Sequence, residues 1–78
     1  MMDRTTLKQF LTEADDHLDL AARRIERQSL VVRRLRDGGH DASMAEELLV
    51  QFERTRQSFL VDRELIARSL ATSRKAGL

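Results

Sequence analysis

Glu13 and His17 stand four residues apart, and Asp62 occupies a position whose spacing otherwise selects apolar side chains. Residues four apart share a helix face, so Glu13 and His17 have the spacing of a ligand pair for a metal ion. Helical metal bundles, however, direct several Glu and Glu-x-x-His ligands inward. This chain has two histidines, no cysteine and no Glu-x-x-His, so neither a metal nor any other cofactor is expected. A His17–Asp62 pair would raise the imidazole pKa and make association sensitive to pH. The simpler reading turns Asp62 outward to Arg63 or a solvent-facing base and leaves His17 on the surface, and that is the expectation. His40-Asp41 is likewise read structurally, with Asp41 capping a helix and His40 as a connecting residue.

Nucleophilic catalysis needs a nucleophile, a base and an orienting group, and two histidines with scattered Ser and Thr supply no such set. No glycine-rich phosphate loop is present either. The sequence therefore predicts no catalytic residues and no enzyme. Arg23, Arg24, Arg27, Arg33, Arg34 and Arg36 could track phosphates along a helix, which makes a small nucleic-acid-binding protein using the Arg-rich 23–36 segment the alternative reading. Against it stand a net charge of only +1 and the lack of an aromatic stacking platform. Phe10, Phe52 and Phe59 are the only aromatics.

The charges fall in blocks. Residues 1–22 set two bases against five acids, −3; residues 23–36 set six arginines against Glu26, +5. Residues 37–53 hold five acids and no base, −5; residues 54–78 set six bases against Asp62 and Glu64, +4. Folding the chain back at Gly38-Gly39 lays each block beside its opposite. Exposed pairs contribute only ~0–1 kcal/mol each, so the device sets orientation and register more than stability. Arg23, Arg24, Arg27, Arg33 and Arg34, facing Glu46, Glu47 and Glu53, are the predicted orientation charges.

The elements that carry these residues follow from periodicity. Leu7, Leu11, Ala14, Leu18, Ala21, Ile25, Gln28, Val32 and Leu35 recur at alternating steps of four and three. Ala45, Leu48, Phe52, Thr55, Phe59, Asp62, Ile66, Ser69 and Ser73 repeat the rhythm. Such steps keep one stripe on one helix face, as a coiled-coil seam requires. Proline is absent, and the glycines lie only at 38, 39 and 77. Two helices are predicted, near 5–37 and 42–74 with a turn at 38–41, each about 45–50 Å long at about 1.5 Å per residue. Thr6 with Gln9, or Thr5, is expected to cap the first helix, and Asp41, or Ser43 with Glu46, the second. Gly38 or Gly39 supplies the left-handed position after the first.

Closing the turn at 38–41 pairs Leu35 with Ala45, Val32 with Leu48, Gln28 with Phe52, Ala21 with Phe59, Leu18 with Asp62 and Ala14 with Ile66. That seam leaves apolar residues over. Phe10, Leu20, Leu30 and Val31 remain on the first helix, and Met44, Leu49, Val50, Leu60, Val61, Leu65 and Leu70 on the second. Of these, Phe10, Val31, Met44, Leu49, Leu65 and Leu70 fall on the flanks of the seam and widen it toward a bundle face. A hairpin of 78 residues buries a small core, and exposed apolar surface marks an interface. A two-fold dimer forming a four-helix bundle satisfies both conditions.

The start of the chain lacks the apolar core of a secretory signal, and no apolar run approaches the ~18 residues of a spanning helix. With no cysteine to oxidise, the expectation is a soluble cytoplasmic protein without membrane contact.

The stretch Arg24-Ile25-Glu26-Arg27-Gln28, followed by Leu30-Val31, Leu35, Gly39-His40-Asp41 and Ala45-Glu46-Glu47-Leu48-Leu49 with Phe52, resembles a pattern in small uncharacterised bacterial helical-hairpin (coiled-coil) proteins. The resemblance spans roughly residues 17–66, with Gly-His-Asp at the turn its most distinctive part. It implies the hairpin and a bacterial origin, and it transfers no functional residue.

The sequence thus predicts an all-α antiparallel hairpin that dimerises into a four-helix bundle. Its expected role is that of a non-enzymatic interaction or regulatory module, a homo-oligomer or one docked on a helical protein partner. Phe10, Ile25, Val31, Leu49, Phe52, Phe59 and Ile66 are the expected interface residues.

Overall fold

A computed structural model describes the backbone of residues 3–76 and the side chains of residues 3–73. Two helices, α1 (Arg4–Asp37) and α2 (Ser43–Ala76), fold against each other as an antiparallel hairpin. No strand occurs among the described residues. The hairpin extends 62 × 14 × 14 Å, a narrow rod two helices across.

Each helix end is closed by its own sequence. Asp3, not Thr5 or Thr6, caps α1: its side chain accepts the Thr6 amide at 2.8 Å, satisfying an amide that has no partner within the helix. At the other end the Gly39 amide donates to the Arg36 carbonyl and the His40 amide to the Leu35 carbonyl. These paired bonds, with Gly39 at φ +74°, form a Schellman cap, whose left-handed residue favours glycine. Arg34 and Arg36 lie in this last turn, where the carbonyl end of the helix favours cations. Asp41 then accepts both the Ser43 amide at 3.0 Å and the Ser43 hydroxyl at 2.7 Å. The Ser43–Glu46 capping box does not form. Ala42, whose carbonyl accepts the Glu46 amide at 2.8 Å, precedes the first turn, Ser43 already lies within α2, and the Glu46 carboxylate pairs with Arg36 at 2.6 Å.

The α1 stripe is as the periodicity reads it. Leu7, Ala14, Ala21 and Val32 are buried, and Leu11, Leu18, Ile25, Gln28 and Leu35 are half-buried. The α2 stripe differs in phase. Leu48, Thr55, Asp62 and Ser69 are exposed, while Leu49, Arg63 and Leu70 are half-buried beside Ala45, Phe52, Phe59, Ile66 and Ser73. The seam of α2 therefore steps 42, 45, 49, 52, 56, 59, 63, 66, 70, 73, with Arg56 completing the rhythm through an exposed side chain.

Three contacts across the seam fix the register. Gln28 Nε2 donates to the Ala45 carbonyl at 3.0 Å, Arg63 Nε donates to Asp15 at 2.5 Å, and the His17 and Phe59 rings stack with centroids 5.1 Å apart. Running the two stripes antiparallel through these contacts sets Leu35 level with Ala42, Val32 with Ala45, Gln28 with Leu49 and Ile25 with Phe52. Further along, Leu18 stands level with Phe59, Ala14 with Arg63, Leu11 with Ile66 and Leu7 with Leu70. The pairing lies three residues from the expected one, in which Leu35 met Ala45. The cause is the turn: the Schellman cap reverses the chain so tightly that Ala42, just before α2, is itself buried and supplies the first layer.

The core is thin. Its buried members are Leu7, Ala14, Ala21, Val32 and Ala42, three of them alanines. Such a small hydrophobic core is marginal on its own.

Candidate protein-interaction surface

Seam positions are flanked on both sides, and the two flanks of this hairpin are chemically unlike. Along one edge lie Asp15 and Arg36 of α1 with Glu46 of α2 and the guanidinium of Arg63. Both ion pairs between the helices among the described side chains are found there, Asp15–Arg63 at 2.5 Å and Arg36–Glu46 at 2.6 Å. Each joins blocks of opposite charge, the −3 block to the +4 block and the +5 block to the −5 block. The remaining ion pairs among the described side chains, Arg23–Asp19 and Arg68–Glu64, link successive turns of one helix. Arg74 and Lys75, counted in the +4 block, lie outside the described side chains.

The other edge carries apolar surface. On α1, Phe10, Glu13, His17, Leu20, Arg24, Arg27 and Val31 follow one another in steps of three and four, forming a second stripe beside the seam. On α2 the matching stripe runs Met44, Leu48, Gln51, Thr55, Ser58, Asp62 and Leu65, with no Lys or Arg in it. Leu20 is 45% exposed, Leu48 45%, Leu65 55% and Met44 83%. For side chains of this size, such exposure on one face indicates contact surface.

At the middle of this face His17, Leu20, Ala21, Arg24, Phe52, Thr55 and Phe59 line a shallow groove of about 140 Å³. The small side chain of Ala21 and the flanking rings of Phe52 and Phe59 create the depression. Its volume is below the ~300–1,000 Å³ of small-molecule and cofactor sites, and it lies open along the rod. A groove of this shape fits a protruding side chain.

The predicted site residues divide between seam and face. Ile25, Leu49, Phe52, Phe59 and Ile66 are half-buried on the seam between α1 and α2. Phe52 and Phe59 also line the groove. Phe10 and Val31 lie on the flanking stripe, Val31 being 40% exposed. Leu49 and Leu70 move from the flanks, where the periodicity put them, into the seam. Leu20 was legible only as a surplus leucine, yet it stands at the centre of the face.

Of the orientation charges, Glu46 bridges the helices, Arg23 pairs within α1 and Arg24 lines the groove. Arg27, Arg33, Arg34, Glu47 and Glu53 are exposed. The cross-helix partner of Glu46 is Arg36.

His17 lies flat against Phe59 at an interplanar angle of 29°, and Asp62 is exposed. Arg63, the base expected to meet Asp62, reaches Asp15 instead. His40 is exposed in the turn beside Gly38, and Asp41 stands one residue ahead of the N-cap position, Ala42, and holds the first amide of α2, that of Ser43. Backbone and side-chain hydrogen bonds from Thr6 hold the Asp3 carboxyl below its ordinary pKa, and those from the Ser43 hydroxyl and amide do the same for Asp41.

Among the described residues no cluster of His, Cys, Asp and Glu has the makings of a metal site, and no helix is long and apolar enough to cross a membrane. No protein-family model, curated protein or solved structure matches the chain.

Proposed function

We propose that this chain is a non-enzymatic helical interaction module, acting in the cytoplasm. It works by self-association, two hairpins stacking into a four-helix bundle. One observation carries the reading: the seam uses mainly alanines and half-buried residues, while Leu20, Val31, Met44, Leu48 and Leu65 stay exposed along one edge and only Leu30, Val50 and Val61 of the other exposed large apolar side chains described lie off it. A second hairpin on that edge would cover those side chains and thicken the core by a layer. Burial of this kind contributes roughly 25 cal/mol per Å² of apolar surface, the term a lone two-helix layer lacks.

Light scattering over micromolar concentrations tests it. The expected mass is twice the 9.0 kDa of one chain, falling toward one on dilution. A stable monomer throughout that range would reject self-association and assign the same face to a different protein.

A further inference from the structure

Self-association leaves open how the second copy lies, and the stripe beside the α1 seam carries that information. About Leu20 the stripe is nearly palindromic in shape and inverted in charge. Glu13 stands seven residues before Leu20 and Arg27 seven after; Phe10 stands ten before and Val31 eleven after. At about 1.5 Å per residue these offsets are roughly 10–11 Å and roughly 15–17 Å in either direction.

We propose that a second copy of this chain docks on this face with its turn at the opposite end, around a two-fold axis passing beside Leu20. The inference rests on the self-association proposed above. Such an axis lays α1 against α1 of the second copy, running antiparallel. Leu20 then meets its own symmetry mate over the groove, where Ala21 leaves room for it. Val31 reaches the level of the second copy's Phe10, and Arg27 that of its Glu13. Symmetry repeats both contacts, as an isologous interface demands.

The other two-fold arrangement, with both turns at one end, lays α1 on α2 of the second copy. It brings Glu13 level with Leu65 and Arg34 level with Met44, setting charge on exposed apolar side chains. Complementary charge selects the first arrangement. The 62 Å by 14 Å outline of the hairpin also gives a face comparable with the ~800 Å² per partner of a standard stable interface.

Charge exchange tests the orientation. Dimer dissociation constants would be measured by sedimentation at low salt for the parent, Glu13→Arg, Arg27→Glu and the double variant, with circular dichroism confirming that each remains helical. Either single change sets like charges together twice per dimer and should weaken association at least about fivefold. The double variant restores opposite charges and should return to within about threefold of the parent. Independently, Leu20→Cys should oxidise to a covalent dimer through that residue alone.

If the parent dimerises but the double variant shows no recovery and Leu20→Cys does not cross-link, this orientation is wrong and self-association stands. If the parent is monomeric at every concentration, self-association itself fails and the orientation with it.

Discussion

Gln28 reaches across the seam and donates from Nε2 to the carbonyl of Ala45 at 3.0 Å. Among the described residues it is the one side-chain hydrogen bond joining one helix to the backbone of the other. A helical carbonyl has a second lone pair beyond the one used by its own helix, so the bond costs α2 nothing. It holds α1 at one axial position, because a shift by either helix would leave the half-buried amide without that acceptor. Gln28→Ala should therefore lower unfolding stability by about 1 kcal/mol in urea titration, the usual net worth of such a bond. Gln28→Leu should be at least as stable as the parent yet less specific in register, showing surplus amide resonances in an NMR spectrum.

The phase of α2 gives a second prediction. Leu49 is half-buried on the seam, level with Gln28, while its neighbour Leu48 is 45% exposed. At concentrations low enough to keep the chain monomeric, Leu49→Ala should destabilise by about 2 kcal/mol, the lower end for a leucine truncated in a core. Leu48→Ala should cost under about 0.5 kcal/mol, as for a surface site. Thermal unfolding followed by circular dichroism distinguishes the two, and equal losses would return α2 to the phase its sequence first suggested.

That phase was hard to read for a physical reason. On α1 the off-seam apolar residues Phe10, Leu20, Leu30 and Val31 are fewer, and long stretches such as residues 12–19 and 23–29 carry apolar side chains only at seam positions, so Leu7 through Leu35 define one stripe. On α2 they come in contiguous runs, Leu48-Leu49-Val50, Phe59-Leu60-Val61 and Leu65-Ile66. Each run offers a candidate to both phases, and steps of three-four and four-three both pass through Ala45, Phe52, Phe59 and Ile66. What separates them is where the first layer closes. That depends on Ala42 tucking in after the turn, a small residue with no periodic signal of its own. The charge blocks did predict the antiparallel sense, and Asp15–Arg63 and Arg36–Glu46 satisfy it. The surface was half legible: the surplus of apolar residues was evident, but which edge carried them depended on the α2 phase.

The tight turn supplies a third prediction. Gly39 has φ +74°, a region that costs other residues about 1–2 kcal/mol. A Cβ at this position meets nothing within 4 Å, so the penalty is purely conformational. Gly39→Ala should lower stability by about 1 kcal/mol, roughly 4–8 °C in Tm for a domain of this size. Gly39→Asn should lose less, since asparagine tolerates the left-handed region. If alanine proves neutral in a thermal melt, the Schellman cap is not what sets the turn.

The helix caps predict the acid limb of the stability curve. Hydrogen bonds from Thr6 to Asp3 and from Ser43 to Asp41 favour the ionised carboxyl in the fold and lower both pKa values from 3.8. A group whose folded pKa is depressed contributes in full above its unfolded value, and the contribution is lost as pH falls through the folded one. Both caps should therefore be intact at neutral pH and fade only below about pH 4. Asparagine in place of either residue keeps an acceptor oxygen but binds no proton in this range. Acid protonates every carboxyl the two proteins share, so the comparison must be differential. Between about pH 4 and pH 2, the Tm of Asp3→Asn/Asp41→Asn should fall less steeply than that of the parent. Parallel curves would mean that the two aspartates bind protons equally well in folded and unfolded chains, and that their hydrogen bonds do not hold the helix starts in solution.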